Sequence, residues 1–257
     1  MKAVLTVLGS GTSMGVPTIG CDCAVCHSAD PHDRRTRPSV LVEYGGKFVL
    51  IDTTPDFREQ AIRENIRQLD AVLYTHTHAD HLLGIDDLRP LSFRLKPNKL
   101  PLYAHPEAAN FIRGMFRYIF EGDYKFGGLP QVELRMIDGA VGLFGARFEP
   151  VKVIHGEAEI YGFRFGSAAY LTDHSEIPEA SFAQLQNLDI LFLDALRYKP
   201  HPTHSTVETS LKIVERLQPK RAFFTHICHD LPHEATNAAL PPNVRLSYDG
   251  MKLKFEI

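Results

Sequence analysis

The run Thr75-His76-Thr77-His78-Ala79-Asp80-His81 places three histidines and an aspartate within one short stretch. Imidazole and carboxylate donors form a hard-to-borderline set that suits Zn²⁺, Mn²⁺ or Fe. The run directly follows the apolar stretch Ala71-Val72-Leu73-Tyr74. One strand end and one tight turn can therefore aim all four groups into a shared space, two toward one metal and two toward another.

Other polar residues share that placement. His155 follows a β-like run at 146–154, and His226 follows one at 222–225. Asp173 lies just past a run at 168–171, with Thr172 between. A rigid sheet gathers such strand ends on one edge, where loops add shape. His174, beside Asp173, is a rival donor, and a lone Asp past a strand is also a common turn residue. Asp52 ends a run at 48–51 and reads either as a turn residue or as a carboxylate that orients the His loop.

A second donor cluster is Cys21-Asp22-Cys23-Ala24-Val25-Cys26, while Cys228 stands far away in sequence. Three thiolates are one donor short of a tetrahedral zinc site. Cys228 and His229 both lie near His226, and either one completes the set. His27 competes, although its adjacency to Cys26 makes chelation awkward. In a cytosolic chain such a cluster points to metal rather than to disulfides.

The elements that must hold these groups are short. Further β-like runs fall at 4–8, 39–44, 71–75, 100–104, 161–165, 190–193, 246–248 and 253–257. Phe57, Ala61, Ile62 and Ile66 mark one helical face, with Pro55 at the first helical position. Val207, Leu211, Val214 and Leu217 mark another, with Thr206 as N-cap. Residues 107–120 also read as helix. Strands with helices interleaved in both halves predict an α/β fold, two sheets with helices on their outer faces. No repeat or linker divides the chain, so one domain over 1–257 is expected.

Composition narrows the class. Hydrophobic residues make up 44% and charged residues 23%, ordinary values for a soluble protein. A net charge of −3 gives no global pull toward nucleic acid. No stretch is long and apolar enough to span a bilayer. The apolar run before Gly9 is too short for a secretory leader, so a cytoplasmic location is expected. Oligomeric state is left open, a homodimer included.

In this order, His-x-His-x-Asp-His after a strand followed by a lone His, a lone Asp and a late His, the chain resembles the metallo-β-lactamase superfamily. The resemblance runs from Gly9-Ser10-Gly11 to His226 and implies a four-layer αββα sandwich. It implies that His76, His78 and His155 hold one divalent metal, Mn²⁺ or Zn²⁺, and that Asp80, His81 and His226 hold a second. Asp173 would bridge the two, and Asp52 would orient the His loop. A hydroxide between the metals is the implied nucleophile, because bound metal lowers the pKa of water from ~15.7 toward ~7.

The cysteines together with the late His-x-x-His resemble the cyclic-phosphate phosphodiesterase of the phosphonate (carbon–phosphorus lyase) pathway. That resemblance implies a structural Zn²⁺ on Cys21, Cys23, Cys26 and His229, with Cys228 not a ligand. His204 resembles the additional active-site His of the phosphodiesterase and tRNA-processing branches, where it contacts the phosphate or protonates the leaving oxygen. His201 is the weaker alternative. One departure is Thr54, which stands where many relatives have Gly and points to a subgroup with its own substrate. The loop Ser10-Gly11-Thr12-Ser13 reads as a turn or as a set of N–H donors for an anion. Arg34, Arg35 and Arg37 form a basic patch that is expected to be solvated.

The expected activity is metal-dependent phosphodiester hydrolysis on small nucleotide-like or ribose cyclic phosphates, without membrane or nucleic-acid partners. A tRNA 3′-processing endonuclease is disfavoured because no Gly/Pro-rich arm is evident and the charge balance is acidic. A lactamase is disfavoured by Asp173, and a glyoxalase II-like thioesterase by His155-Gly156-Glu157 in place of a Thr-Pro-Gly continuation. A binding module with only structural zinc would leave the ordered His and Asp residues without a purpose.

Overall fold

A computed structural model describes residues 1–121 and 128–257. In chain order its strands are β1 (Lys2–Gly9), β2 (Ser39–Tyr44), β3 (Lys47–Ile51), β4 (Ala71–Leu73), β5 (Leu100–Ala104), β6 (Val132–Met136), β7 (Val141–Leu143), β8 (Ala146–His155), β9 (Ala158–Phe165), β10 (Ala168–Leu171), β11 (Ile190–Asp194), β12 (Arg221–Thr225), β13 (Val244–Leu246) and β14 (Lys252–Glu256). The α-helices are α1 (Phe57–Arg63), α2 (Ala79–Leu82), α3 (Arg89–Ser92), α4 (Pro106–Met115), α5 (Arg117–Phe120), α6 (Glu179–Phe182), α7 (Val207–Leu217) and α8 (His233–Ala239). The strands form two mixed seven-stranded sheets, ordered β14-β1-β2-β3-β4-β5-β6 and β13-β12-β11-β10-β9-β8-β7.

Side-chain alternation explains the layering. In β3, Val49 and Ile51 point into the core between the sheets, while Leu50 points out against Phe57 and Leu82. In β11, Ile190 and Phe192 face inward, while Leu191 and Leu193 meet Val207, Val214 and Leu217 of α7. Strands buried on both faces read as continuous apolar runs, which is how these two appear in the sequence. Helices on both outer faces make the four-layer αββα sandwich expected from the resemblance.

Parallel pairing sets the working edge. β3 and β4 are parallel, so Asp52 and the Thr75-His76 segment leave the first sheet on one side. β10, β11 and β12 are mutually parallel, so Asp173, Asp194 and His226 come from corresponding ends of the second.

Several local expectations need correction. β6 and β7 were not anticipated. Glu133 and Arg135 interrupt the apolar pattern of β6, and β7 has only three residues. Pro55 is not the first helical residue; α1 starts at Phe57 after Asp56. Ile62 is exposed, and Gln60 is buried in its place, donating to the carbonyl of Arg37 (2.8 Å) and to Thr36 Oγ1 (2.9 Å). The helix expected at 107–120 breaks at Phe116 into α4 and α5. Thr206 does cap α7, accepting the backbone N–H of Thr209 (3.1 Å). Among the described residues, no helix is long and apolar enough to cross a membrane.

Candidate metal centre

The sequence between β4 and α2 builds one wall of the site. Thr75 donates through its backbone N–H and its hydroxyl to Asp52 (2.8 and 2.7 Å). The other wall of this turn is held by Thr53, whose N–H donates to the carbonyl of His81 (2.8 Å) and whose carbonyl accepts from Gly84 (3.0 Å). Only glycine fits at Gly84, because a Cβ there would overlap the carbonyl of Thr54. Asp52, Asp173 and His226 all have positive φ (66°, 52° and 57°). Left-handed backbone is costly for non-glycine residues and concentrates at functional sites.

Two donor clusters result. His76, His78, His155 and Asp173 present one atom each within 4.8 Å of one another, as do Asp80, His81, Asp173 and His226. Asp173 belongs to both. Its Oδ1 lies 3.1 Å from His81 Nε2, and its Oδ2 lies 3.2 Å from His226 Nε2 and 3.8 Å from His76 Nε2. Asp80 Oδ2 lies 3.3 Å from both His81 Nε2 and His226 Nε2.

The fit to metal rests on unpaired atoms. Among the described residues, His76 Nε2 is buried without a hydrogen-bond partner, and His81 Nε2 is buried with only the Asp80 and Asp173 carboxylates beside it and no well-aligned hydrogen bond. His155 Nδ1 is bonded to the carbonyl of Thr203 (2.7 Å), which requires the proton on Nδ1 and leaves a lone pair on Nε2. That lone pair faces His78 Nδ1 at 3.2 Å. Lone pairs that converge from several sides suit a cation.

Electrostatics point the same way. Burial opposes ionisation of Asp80, yet His81 and His226 outweigh it and hold the carboxyl well below the usual range. Burial likewise opposes charge on His226, but Asp173 and Asp80 prevail and push it up to about 9. The carboxylates keep their charge and draw positive charge into the buried space.

His204 lies beside both clusters. Its ring stacks on His226 (4.6 Å between centroids, 13° between planes) and meets His155 at 4.7 Å. Its Nδ1 is 2.6 Å from Oδ2 of fully buried Asp194. Asp194 was missed in the sequence, although it obeys the same rule as the other residues by ending a strand. His201 is bonded to Thr203 (3.2 Å to Oγ1), and its ring lies 5.0 Å from that of His204, outside both clusters' donor sets. His174, the rival to Asp173, lies outside both clusters, with Nδ1 3.0 Å from Ser205 Oγ.

The cysteine cluster closes as a separate group. His229 Nδ1 lies 3.1, 3.4 and 3.5 Å from the sulfurs of Cys21, Cys23 and Cys26. The N–H of Cys26 is the chief influence lowering the Cys23 thiol to about 6. Cys228 is outside the group, its sulfur accepting the N–H of Asp230 (3.4 Å). His27 is also outside, with its Nδ1 by the carbonyl of Cys23.

One surface expectation is overturned, and one open alternative is narrowed. Arg35 is buried rather than solvated, donating to the carbonyls of Cys228 (2.9 Å) and Leu231 (2.6 Å) and to Asp33 (2.9 Å). A buried guanidinium needs such partners. The Ser10-Gly11-Thr12 N–H groups are not free for an anion. They donate to Asp249 (2.9 Å), Thr36 (2.8 Å) and Ile227 (3.1 Å).

A crystal structure of a new diphosphatase from the PhnP family superposes with a TM-score of 0.94 at 62% identity, covering 99% of this chain and 98% of that one. An octanoyltransferase of Porphyromonas gingivalis is 38% identical over 257 residues, 98% of this chain and 51% of that protein. A ribonuclease Z of Bradyrhizobium diazoefficiens is 29% identical over 147 residues, 54% of this chain and 47% of that protein. The chain thus spans about half the length of these curated relatives. The family model of the beta-lactamase superfamily domain matches residues 47–227. Because that span begins at β3 and ends just past His226, it takes in both His/Asp clusters whole, and the chain belongs to the beta-lactamase superfamily.

Proposed function

We propose that this chain is a metal-dependent phosphodiesterase acting on small nucleotide-like or ribose cyclic phosphates. The observation that supports it most is the sharing of Asp173 between the two His/Asp clusters. His76, His78 and His155 would hold one divalent ion, Asp80, His81 and His226 a second, and Asp173 both; Mn²⁺ and Zn²⁺ suit these donors equally. Cys21, Cys23, Cys26 and His229 would hold a structural Zn²⁺. When bound, paired divalent ions lower the pKa of water and neutralise charge developing on a phosphoryl group.

The remaining work falls to this chain's own groups. Asp52 holds His81, and the Thr203 carbonyl holds His155, so each ring keeps one orientation. Burial raises the Asp194 carboxyl well above its usual range, while burial and then His226 hold His204 down to about 4. A protonated Asp194 donates to Nδ1 of His204, which leaves the ring proton on Nε2. That proton suits a departing sugar oxygen, because an alkoxide leaves poorly without one.

The diphosphatase relative supports chemistry at a phosphoryl group. The octanoyltransferase is a protein about twice the matched length, so its activity says nothing specific of the half that this chain matches. The ribonuclease Z match keeps a tRNA-processing reading in view, against which the net charge of −3 weighs. A panel of bis-p-nitrophenyl phosphate, cyclic nucleotides, cyclic ribose phosphates, pre-tRNA, thioesters and β-lactams, each with added Mn²⁺ or Zn²⁺, tests the proposal. Efficient turnover confined to small diesters is expected. Turnover confined to thioesters, lactams or pre-tRNA would overturn it.

A further inference from the structure

Among the described residues, His32, His233 and Glu234 form a donor group that shares no residue with the two His/Asp clusters or the cysteine group. Each presents one donor atom within 4.8 Å of the others. His32 sits in the turn Pro31–Asp33, while His233 and Glu234 open α8. Asp33 joins the two segments, because its Oδ1 accepts the backbone N–H of His233 (2.9 Å). Asp30 steadies the turn, its Oδ1 accepting the N–H of His32 (2.9 Å).

Packing alone does not account for the two imidazoles. Their centroids are 4.6 Å apart, and the Tyr248 ring lies 4.2 Å from His32 and 5.8 Å from His233. Yet His233 is 4% exposed, and its Nδ1 is buried with no hydrogen-bond partner among the described residues. His32 Nδ1 is buried with only the Asp30 carboxylate beside it (3.3 Å) and no well-aligned hydrogen bond. A buried polar atom without a protein partner is uncommon, and an ion satisfies it. The neighbouring Arg35 does not oppose a cation strongly. Its donors are taken by Asp33 (2.9 Å) and by the carbonyls of Cys228 and Leu231, and Asp30 and Glu234 add further negative charge.

We propose that His32, His233 and Glu234 form an auxiliary Zn²⁺ site, separate from the catalytic clusters and from the cysteine group. Two imidazoles and one carboxylate select a borderline transition-metal ion over Mg²⁺ or Ca²⁺. Three protein donors leave a tetrahedral ion one position for water. Glu234 is exposed and no thiolate takes part, so this ion exchanges more readily than one held by the cysteines. Its placement gives it a task. The cysteine group joins residues 21–26 to His229, and the auxiliary site joins the turn Pro31–Asp33 to α8. Between these two clamps run the Arg35 contacts to Cys228 and Leu231. A bound ion therefore stabilises the fold around His226 without touching the reacting atoms.

The test compares wild type with His32→Gln and Glu234→Gln. Both side chains reach solvent, so neither substitution should unfold the chain, and buried His233 is left in place. Each protein is brought to equilibrium by dialysis against buffered Zn²⁺, and its bound metal is counted by mass spectrometry. Wild type should hold one equivalent more than either variant. In a Cys23→Ser background the same difference of one equivalent should persist, because the two groups share no donor. Raising free Zn²⁺ further should raise the Tm of wild type and leave that of both variants in place. Equal metal in all three proteins would overturn the proposal. So would an extra ion that both variants keep, since it would lie elsewhere. The count needs no turnover, so it stands or falls apart from the phosphodiesterase reading.

Discussion

Oδ2 of Asp52 and Nδ1 of His81 lie 2.8 Å apart, and neither side chain reaches solvent. The same carboxylate accepts the backbone N–H and hydroxyl of Thr75. One buried group thus ties the ends of β3 and β4 to α2 and turns His81 Nε2 toward Asp80 and Asp173.

Asp52→Asn keeps the size of this group but removes its charge. Partners behind a metal-binding imidazole typically contribute about 10–100-fold in affinity. The variant should therefore lose metal from the Asp80–His81–His226 cluster by a factor in that range, read from metal content after dialysis. Wild-type metal retention would remove the orienting role.

Asp80→Ala deletes the only carboxylate among the described residues that serves the second cluster alone. Diester turnover should vanish while the circular dichroism spectrum and any zinc bound by the cysteine cluster stay unchanged. Wild-type turnover in the purified variant would count against the two-metal reading.

How much of this was legible in the sequence depends on the kind of pattern involved. His76 to His81 could be read because its donors are close in sequence. His155, Asp173 and His226 could be read because each follows an apolar run. Asp194 follows the same rule, but it was passed over because the strand seemed to end at Leu193. Thr203 was invisible, since its contribution is a backbone carbonyl, which no residue type announces. Arg35 misled because arginine is usually exposed, and only folding brings Cys228 and Leu231 around it. β6 hid for a related reason. A sheet-edge strand with charged residues lacks the apolar signature that revealed β11.

Cys23→Ser should remove one of three sulfurs from the proposed zinc site and release the loop that Arg35 and His229 join to the His226 segment. Bound zinc should fall by one equivalent, and Tm should drop by roughly 5–10 °C for a loss of a few kcal/mol. The chemical step should change less than stability does. Unchanged melting together with unchanged zinc would count against the structural site.

In protein stripped of metal, stability should decline as pH falls from about 6.5 toward 4. Burial lowers His155 to about 4 and His174 to about 3. In this window the unfolded chain binds protons that these folded imidazoles refuse, so ΔG of unfolding falls with pH. His226 has the opposite sign, since its raised pKa of about 9 adds stability that is lost only as pH climbs through that value. Urea midpoints at pH 7, 6, 5 and 4 check this. A flat profile would contradict the burial of these rings as neutral groups.

The 2.6 Å contact between His204 and Asp194 separates two roles for His204. If the ring protonates the departing oxygen, His204→Gln should cost about 10²–10⁴-fold in kcat on a ribose cyclic phosphate. The loss should be less than about tenfold on bis-p-nitrophenyl phosphate, because p-nitrophenolate departs without a proton. Asp194→Asn should show the same split with a smaller amplitude, since it disturbs the proton on Nδ1 but leaves the ring in place. Equal losses on both substrates would mean that His204 binds the phosphate rather than donating to the leaving group. The pH profile separates the cases further, because only a proton donor should make kcat on the cyclic phosphate fall as the Asp194–His204 pair loses its shared proton.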